Sequence, residues 1–256
     1  MKMKQIPDLK KIIVKAIKYK EGTRLDNITG KFVKKHRKEQ SSHPKDKSLL
    51  KKLRISKGDK VLSLASYYAS WAEEIAKLGC KVDLNDVSKS LLDFCRKNKK
   101  KFNKYILADY STLPKKMNEY DWSFTYEAVG GKQGLPIACI RGLMNKKGVI
   151  ITTRTEAPGS KVYQYPKIAK ALSKIYKIKS YVYKFNVLSV IPREKRKWEI
   201  LCCIMKTNKK AQQMAKKDIE VLNKKKFSKK DKDSIIRLSK AAELIKPEFR
   251  KYVTTS

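Results

Sequence analysis

Apolar and polar positions alternate most clearly between Val61 and Asp86, where the pattern predicts a strand, a helix and a second strand. The apolar run at 61–65 is typical of a strand buried on both faces. A helical stripe at i, i+4 and i+7 follows and consists of Trp71, Ile75 and Leu78. Gly79 closes this helix, and alternation at 82–86 predicts a second strand with Asp86 at its tip. Such a βαβ unit typically opens a nucleotide-binding parallel sheet.

The same alternation continues along the chain and predicts an α/β fold. Further helices are predicted from Ser88 and at 135–144 and 166–177. Further strands are predicted at 105–108, 120–126, 148–153, 181–190 and 197–205. The last two runs are joined by IPREKR and form a predicted antiparallel pair at the sheet edge.

Basic helical segments flank this region and divide the chain into three predicted parts, 1–55, 56–206 and 207–256. In the N-terminal extension, helices are predicted at 8–20, 26–39 and 48–53. In the C-terminal tail, a helix at 211–223 precedes another that begins at Ser228, with Asp231 in a capping-box-like position. The pattern leaves open whether the tail helices pack on the core, on RNA or on the N-terminal helices.

The formal net charge of +39 favours a polyanionic partner, either RNA or DNA. The first 57 residues carry 19 basic and 5 acidic side chains, and residues 206–256 carry 16 and 6. We therefore expect the two ends to supply most of the affinity for nucleic acid. Lysine outnumbers arginine 53 to 10, so a compositional bias is the alternative explanation.

Cysteine and histidine usage predicts no metal site. The five cysteines contain no CxxC pair and are expected to be buried apolar side chains in a reducing, cytoplasmic compartment. The two histidines, His36 and His43, lie in a basic linker and are expected to be solvated. No apolar run approaches the ~20 residues of a membrane span, so no membrane partner is expected. The oligomeric state is not predicted.

The segment LSLASYYASWAEEIAKLG resembles the first motif of class I S-adenosylmethionine-dependent methyltransferases, the Rossmann-like ones. That motif has an apolar strand, an acid and three glycines at alternate positions before a helix. Here Ser63 stands at the acid position, and the glycine positions are Ala65, Tyr67 and Ala69. The resemblance implies that the cofactor is S-adenosylmethionine and that Ala65, Ser66, Tyr67 and Ala69 lie against it.

The resemblance covers residues 56–206 and implies a seven-stranded, mostly parallel sheet with an antiparallel edge hairpin. It implies that Asp86 binds the ribose hydroxyls of the cofactor. Asp109 and Tyr110 match the position that meets the adenine. Tyr126 and Glu127 match substrate-facing, catalytic positions after the fourth strand.

These features together predict an S-adenosylmethionine-dependent methyltransferase that acts on RNA, ribosomal or transfer. Methyl transfer needs positioning more than acid–base groups, and no catalytic triad is visible. TYEAVGG after the fourth strand lacks the NPPY-like tetrapeptide of amino-methylating enzymes. The alternative is a catalytically inactive methyltransferase-like protein that binds RNA or a ribonucleoprotein. Ser63, Tyr67 and Ala69 favour this alternative, whereas Asp86 and Asp109 favour the enzyme. A nicotinamide-dependent enzyme is disfavoured because its glycines are absent too.

Overall fold

A computed structural model describes the region that carries the predicted sheet and the tail helices. The described residues are 53–64, 69–98, 102–108, 113, 117–126, 131–155, 164–191, 194–224 and 226–244. The helices predicted before residue 53 lie outside them, as do both histidines.

In the described ranges, seven strands and six helices follow one another largely in the order that the apolar pattern predicted. The strands are β1 (Lys60–Leu64), β2 (Lys81–Asp86), β3 (Lys104–Leu107), β4 (Trp122–Tyr126), β5 (Gly148–Thr155), β6 (Lys179–Ile191) and β7 (Glu194–Lys206). The helices are α1 (Ser70–Lys77), α2 (Lys89–Asn98), α3 (Gly131–Gly142), α4 (Gln164–Tyr176), α5 (Lys209–Asn223) and α6 (Lys232–Glu243). Short 3-10 turns precede β4 and α6 at Met117–Glu119 and Lys229–Asp231.

All seven strands form one sheet in the order β3-β2-β1-β4-β5-β7-β6. Strand β1 pairs in parallel with both β2 and β4, while β7 pairs antiparallel with β5 and β6. This is the Rossmann-like, mostly parallel sheet with an antiparallel edge pair that the sequence predicted. The resemblance to class I methyltransferases is therefore confirmed at the level of the fold.

Two of the boundaries that differ from the sequence prediction lie at β4 and at the edge hairpin. Tyr120 lies before β4 and not in it, because its backbone N–H donates to the carbonyl of Met117 at 3.1 Å in the preceding 3-10 turn. Its hydroxyl donates a 2.7 Å hydrogen bond to the buried carboxylate of Asp83. The edge hairpin is longer than predicted, since β6 and β7 stay paired as far as Ile191 and Glu194. Most of IPREKR therefore belongs to the two strands instead of a connecting loop.

The sheet is covered on both faces, and alternate residues of each strand point to different cores. On the first face, α1 and α2 pack with Val61, Phe124 and Ile150. On the second face, α3, α4, α5 and α6 pack with Leu64 and Ile151. The second core includes the apolar sides of both tail helices. The sequence left open what these helices pack on, and the structure shows that they pack on the core.

A buried carboxylate joins three helices of the second face. Asp218 on α5 is fully buried and accepts two hydrogen bonds from Arg237 on α6, at 2.6 and 2.9 Å. The hydroxyl of Tyr176 on α4 donates to the same carboxylate at 2.8 Å. Arg237 has its guanidinium pKa raised, chiefly because of these hydrogen bonds. The network fixes the relative positions of the three helices.

The predicted start of the last helix is confirmed as a capping box. Ser228 and Asp231 exchange side-chain and backbone hydrogen bonds, and Lys224 binds the same carboxylate at 2.7 Å. The pKa of Asp231 is lowered to about 2, mainly by the hydrogen bond from Lys224 and then by the backbone of Ser228. The turn between α5 and α6 is thus held by one carboxylate that is 2% exposed.

Candidate cofactor site

The strand order places a crevice at the carboxyl ends of β1 and β4. From β1 the chain moves outward through β2 and β3, and it then returns to β4 on the other side of β1. In open α/β sheets, ligands bind at such a switch point, outside the carboxyl ends of the strands. The carboxyl ends of the parallel strands β1, β2, β3 and β4 lie at this one edge, and each predicted site residue ends one of these strands or follows one in the sequence.

Ala69 has the backbone conformation that glycine favours. Its φ and ψ are 56° and 23°, in the left-handed region, and it precedes the first residue of α1 as the N-cap. A residue with a Cβ pays about 1–2 kcal/mol for this conformation, whereas glycine does not. The residue is nevertheless buried, and its carbonyl accepts the N–H of Glu73 at 2.8 Å. Ala69 therefore has a backbone conformation that favours glycine, although the residue is an alanine.

Asp86 is the last residue of β2 and is only 6% exposed. One carboxylate oxygen accepts the N–H of Ser88 at 2.9 Å. Ser88 in turn caps α2, since its hydroxyl accepts the N–H of Leu91 at 3.3 Å. This short turn fixes the carboxylate at the crevice edge, where the sequence placed it.

The end of β3 lies directly beside Asp86. Leu107 is the register partner of Asp86, and the N–H of Ala108 donates to the Asp86 carbonyl at 3.1 Å. The side chain of Asn85 donates to the carbonyls of Ile106 and Ala108, which ties the two strand ends together. Asp109 and Tyr110 come next in the sequence but lie outside the described residues.

The remaining predicted site residues are described in part or not at all. Tyr126 is the last residue of β4, where its backbone is paired with Thr152 of β5. Glu127 and the loop residues Ala65, Ser66 and Tyr67 lie outside the described residues. Their roles remain predictions.

One polar group at this edge was missed by sequence reasoning. Thr125 is 1% exposed and lies opposite Leu64, the last residue of β1. Its hydroxyl is buried and has no hydrogen-bond partner among the described residues. A buried hydroxyl left unsatisfied costs about 1–3 kcal/mol, so a ligand that bonds it would recover that cost. A threonine inside a β-rich run has no sequence pattern that distinguishes it from a core residue.

Two other sets of polar residues play structural parts. Asp121 accepts the N–H of Lys60 at 2.9 Å, at the opposite, amino edge of the sheet. All five cysteines are buried and unpaired, as predicted. Burial raises the pKa of Cys80 to about 11 and that of Cys203 to about 12, which disfavours the thiolates at neutral pH. In the described part of the chain, no group of side chains could hold a metal ion.

Sequence comparisons do not assign the chain to a family. No family model matches it, and no curated protein matches it by sequence. Within the described ranges, no helix is long and apolar enough to cross a membrane.

Solved structures with a similar fold include several methyltransferases. A precorrin-6y C5,15-methyltransferase from Geobacter metallireducens is 18% identical, with a TM-score of 0.45 over 61% of this chain and 85% of that one. A magnesium protoporphyrin IX methyltransferase from Synechocystis, with S-adenosylmethionine bound, is 14% identical, with a TM-score of 0.45 over 61% and 76%. A protein provisionally named an RNA methyltransferase, from Pyrococcus horikoshii, is 16% identical, with a TM-score of 0.42 over 62% and 78%. Similarity at these values concerns the fold alone.

Proposed function

We propose that this protein is an S-adenosylmethionine-dependent methyltransferase that acts on RNA in the cytoplasm. The observation that carries the proposal is the buried carboxylate of Asp86 at the end of β2, the strand next to the switch point of the sheet. A carboxylate is an acceptor for the paired hydroxyls of a ribose, and Asp86 is held in place by the turn to Ser88. The cofactor supplies a methyl group on a sulfonium, and the protein's part is to position it and to exclude water.

Three described residues fit such a cofactor. Asp86 would accept hydrogen bonds from the ribose, as the sequence resemblance implied. Ala69 keeps a small side chain and a left-handed backbone where the loop must pass close to the ligand. Thr125 offers a hydroxyl that has no partner within the described protein. Asp109 and Tyr110, which follow β3, are proposed to meet the adenine, and Tyr126 and Glu127 to face the substrate.

RNA is proposed as the substrate on the ground of charge. The net charge of +39 is far above what solubility requires, and it favours a polyanion through counterion release.

Calorimetric titration with S-adenosylmethionine tests the cofactor site. Asp86→Asn keeps an oxygen for the N–H of Ser88 but removes the charge, so the fold should persist. We expect affinity to fall by about 1.5–3 kcal/mol, the scale of a hydrogen bond to a charged group. The matched control is Asp93→Asn on the outer surface of α2, which should bind like the wild type. Equal affinities for all three proteins would remove Asp86 from the site.

Tyr67 decides between the enzyme and a catalytically inactive RNA-binding protein. Ala69 shows that this loop departs from glycine at a position where glycine is favoured, which is the observation that supports the inactive alternative. If the protein is an enzyme, the wild type binds S-adenosylmethionine in the same titration. No binding by the wild type, with binding recovered in Tyr67→Gly, would mean that the ring fills the cofactor's place and that the protein is inactive.

A further inference from the structure

The exposed lysines of α4 form a single row. Lys167, Lys170, Lys174 and Lys177 follow one another at spacings of three, four and three residues, and all four are exposed. These spacings place the lysines of α4 on one helix face, and Lys177 follows directly after the helix. At a rise of 1.5 Å per residue, the row is about 15 Å long. We call these four residues the lysine row.

In the described part of the chain, the lysine row has no counter-charge of its own. The sequence of α4, QYPKIAKALSKIY, contains no acidic residue. Among the described residues, the four lysines take part in no recorded ion pair. Like charges three and four residues apart repel each other, so the row lowers the stability of the helix that carries it. A simple solvated surface would gain from an interspersed acid, as α1 and α2 do with Glu74 and Asp93.

The helices packed beside α4 extend the same charge. The segment 209–243, which comprises α5, α6 and the turn between them, exposes ten lysines against three acidic residues, Glu220, Asp233 and Glu243. The other two carboxylates of this segment are buried. Asp218 is bound by Arg237, and Asp231 is bound by Lys224. These two buried acids thus stabilise the packing of α5 and α6, and the outer side of the two helices stays basic.

This basic surface is rigid and begins near the candidate site. Asp218 binds Tyr176 of α4 and Arg237 of α6, so the helices cannot move apart without losing a buried network. β5 ends at the carboxyl edge of the sheet and β6 begins at the amino edge, and α4 connects them. The row therefore runs across the second face, with Lys167 nearest the cofactor edge.

We infer that the lysine row, together with the basic outer side of α5 and α6, binds the phosphate backbone of the RNA substrate. The inference rests on the proposed function for the identity of the polyanion. Fixed point charges on a rigid surface, without apolar residues among them, suit phosphate contacts that position a nucleic acid. The large apolar side chains that are most exposed, Leu107 and Val182, are on strands and not on these helices. An amphipathic helix that lies in a membrane surface would instead present large apolar side chains to the lipid.

The test compares two quadruple variants of the full chain. The first is Lys167→Gln, Lys170→Gln, Lys174→Gln and Lys177→Gln. The control makes the same change in charge at Lys57, Lys81, Lys97 and Lys104, which are exposed, take part in no recorded ion pair and lie outside this surface. Binding of a short RNA duplex and of the corresponding single strand is measured against salt, without cofactor.

We expect the first variant to bind RNA at least about tenfold more weakly at 0.1 M salt. Its slope of log K against log salt should fall by about 3, since each phosphate contact contributes about 0.7–0.9. The control should keep the wild-type slope. Equal losses in both variants would mean that only total charge matters and would overturn the inference, as would no loss in the first.

Two further measurements separate the outcomes. The first variant should bind S-adenosylmethionine as the wild type does. If the wild type itself does not bind S-adenosylmethionine, the proposed enzyme is refuted, whereas the result on RNA binding still stands. Vesicles containing phosphatidylserine provide the other polyanion. Vesicle binding that depends on the lysine row, with RNA binding that does not, would show that the row serves a membrane and would refute the inference.

Discussion

The two faces of the sheet use their charged residues in opposite ways. On the first face, the acids of α1 and α2 lie on the surface and pair with lysine or arginine one turn away: Lys77 with Glu74 at 2.7 Å, Lys89 with Asp93 at 2.6 Å and Arg96 with Asp93 at 2.7 Å. On the second face, Asp218 and Asp231 are buried and bind their cations from within. The first face is close to neutral outside, and the second keeps an excess of exposed lysines.

In the described helices, this difference shows that charge is not spread evenly over the two faces, as a compositional bias would spread it. A uniform excess of lysine would raise the positive charge of both faces alike. Instead, the helices of the second face place their acids where these residues organise the core. The tail helices therefore contribute both stability and charge, and the two contributions come from different residues.

The largest expected effect comes from removing the buried carboxylate of the second face. Asp218→Ala leaves Arg237 half-buried without its partner and leaves the buried hydroxyl of Tyr176 without an acceptor. We expect the free energy of unfolding to fall by about 3–5 kcal/mol, as when one member of a buried pair is removed. Urea unfolding measures it, and a loss below 1 kcal/mol would contradict the assigned network.

A smaller effect is expected from pH at the turn between α5 and α6. The pKa of Asp231 is about 2, below its ordinary value of 3.8, so the folded state favours the ionised form. The stabilisation is complete above about pH 4 and is lost as the pH falls through about 2. In urea unfolding, the wild type and Asp231→Asn should differ at pH 5, and the difference should shrink below pH 4. Parallel curves over this range would show that the carboxylate gains nothing from Lys224 and Ser228.

The smallest effect is expected on the first face. Asp93 is about one-third exposed and pairs with Lys89 and Arg96 at the surface, where solvent screens the charges. Asp93→Asn should cost about 0.3–1 kcal/mol, and the cost should fall further in high salt. A loss as large as that of Asp218→Ala would remove the contrast between the two faces.

Local patterns predicted most of the fold, whereas contacts distant in sequence were not predictable. The periodicity of Trp71, Ile75 and Leu78 identified α1, and the spacing of Ser228 and Asp231 identified the capping box, because each signal lies within a few residues. Asp218 and Arg237 are nineteen residues apart on different helices, and no pattern in either helix pairs them.

The site was predictable only where it coincides with the end of an element. Asp86 was found because it ends an apolar strand, and the structure confirms that it is the last residue of β2. Thr125 was missed because its significance depends on the absence of a partner for a buried hydroxyl, which only packing reveals. Tyr120 was assigned to β4 because an aromatic residue beside an apolar run fits a strand, yet its backbone N–H donates to Met117 in the preceding 3-10 turn.

The packing of α5 and α6 into the second core also has a consequence for biosynthesis. Residues as late as Leu238 and Ala242 complete the apolar layer over strands that begin at Lys60. A nascent chain that has reached only β7 has its whole sheet but leaves that layer uncovered, and transiently exposed apolar surface promotes aggregation. At about 5–20 residues per second, this interval lasts a few seconds in every round of translation. During synthesis, α5 and α6 are the last of the described elements to cover the second core. A chaperone or an early RNA contact would have that interval in which to act.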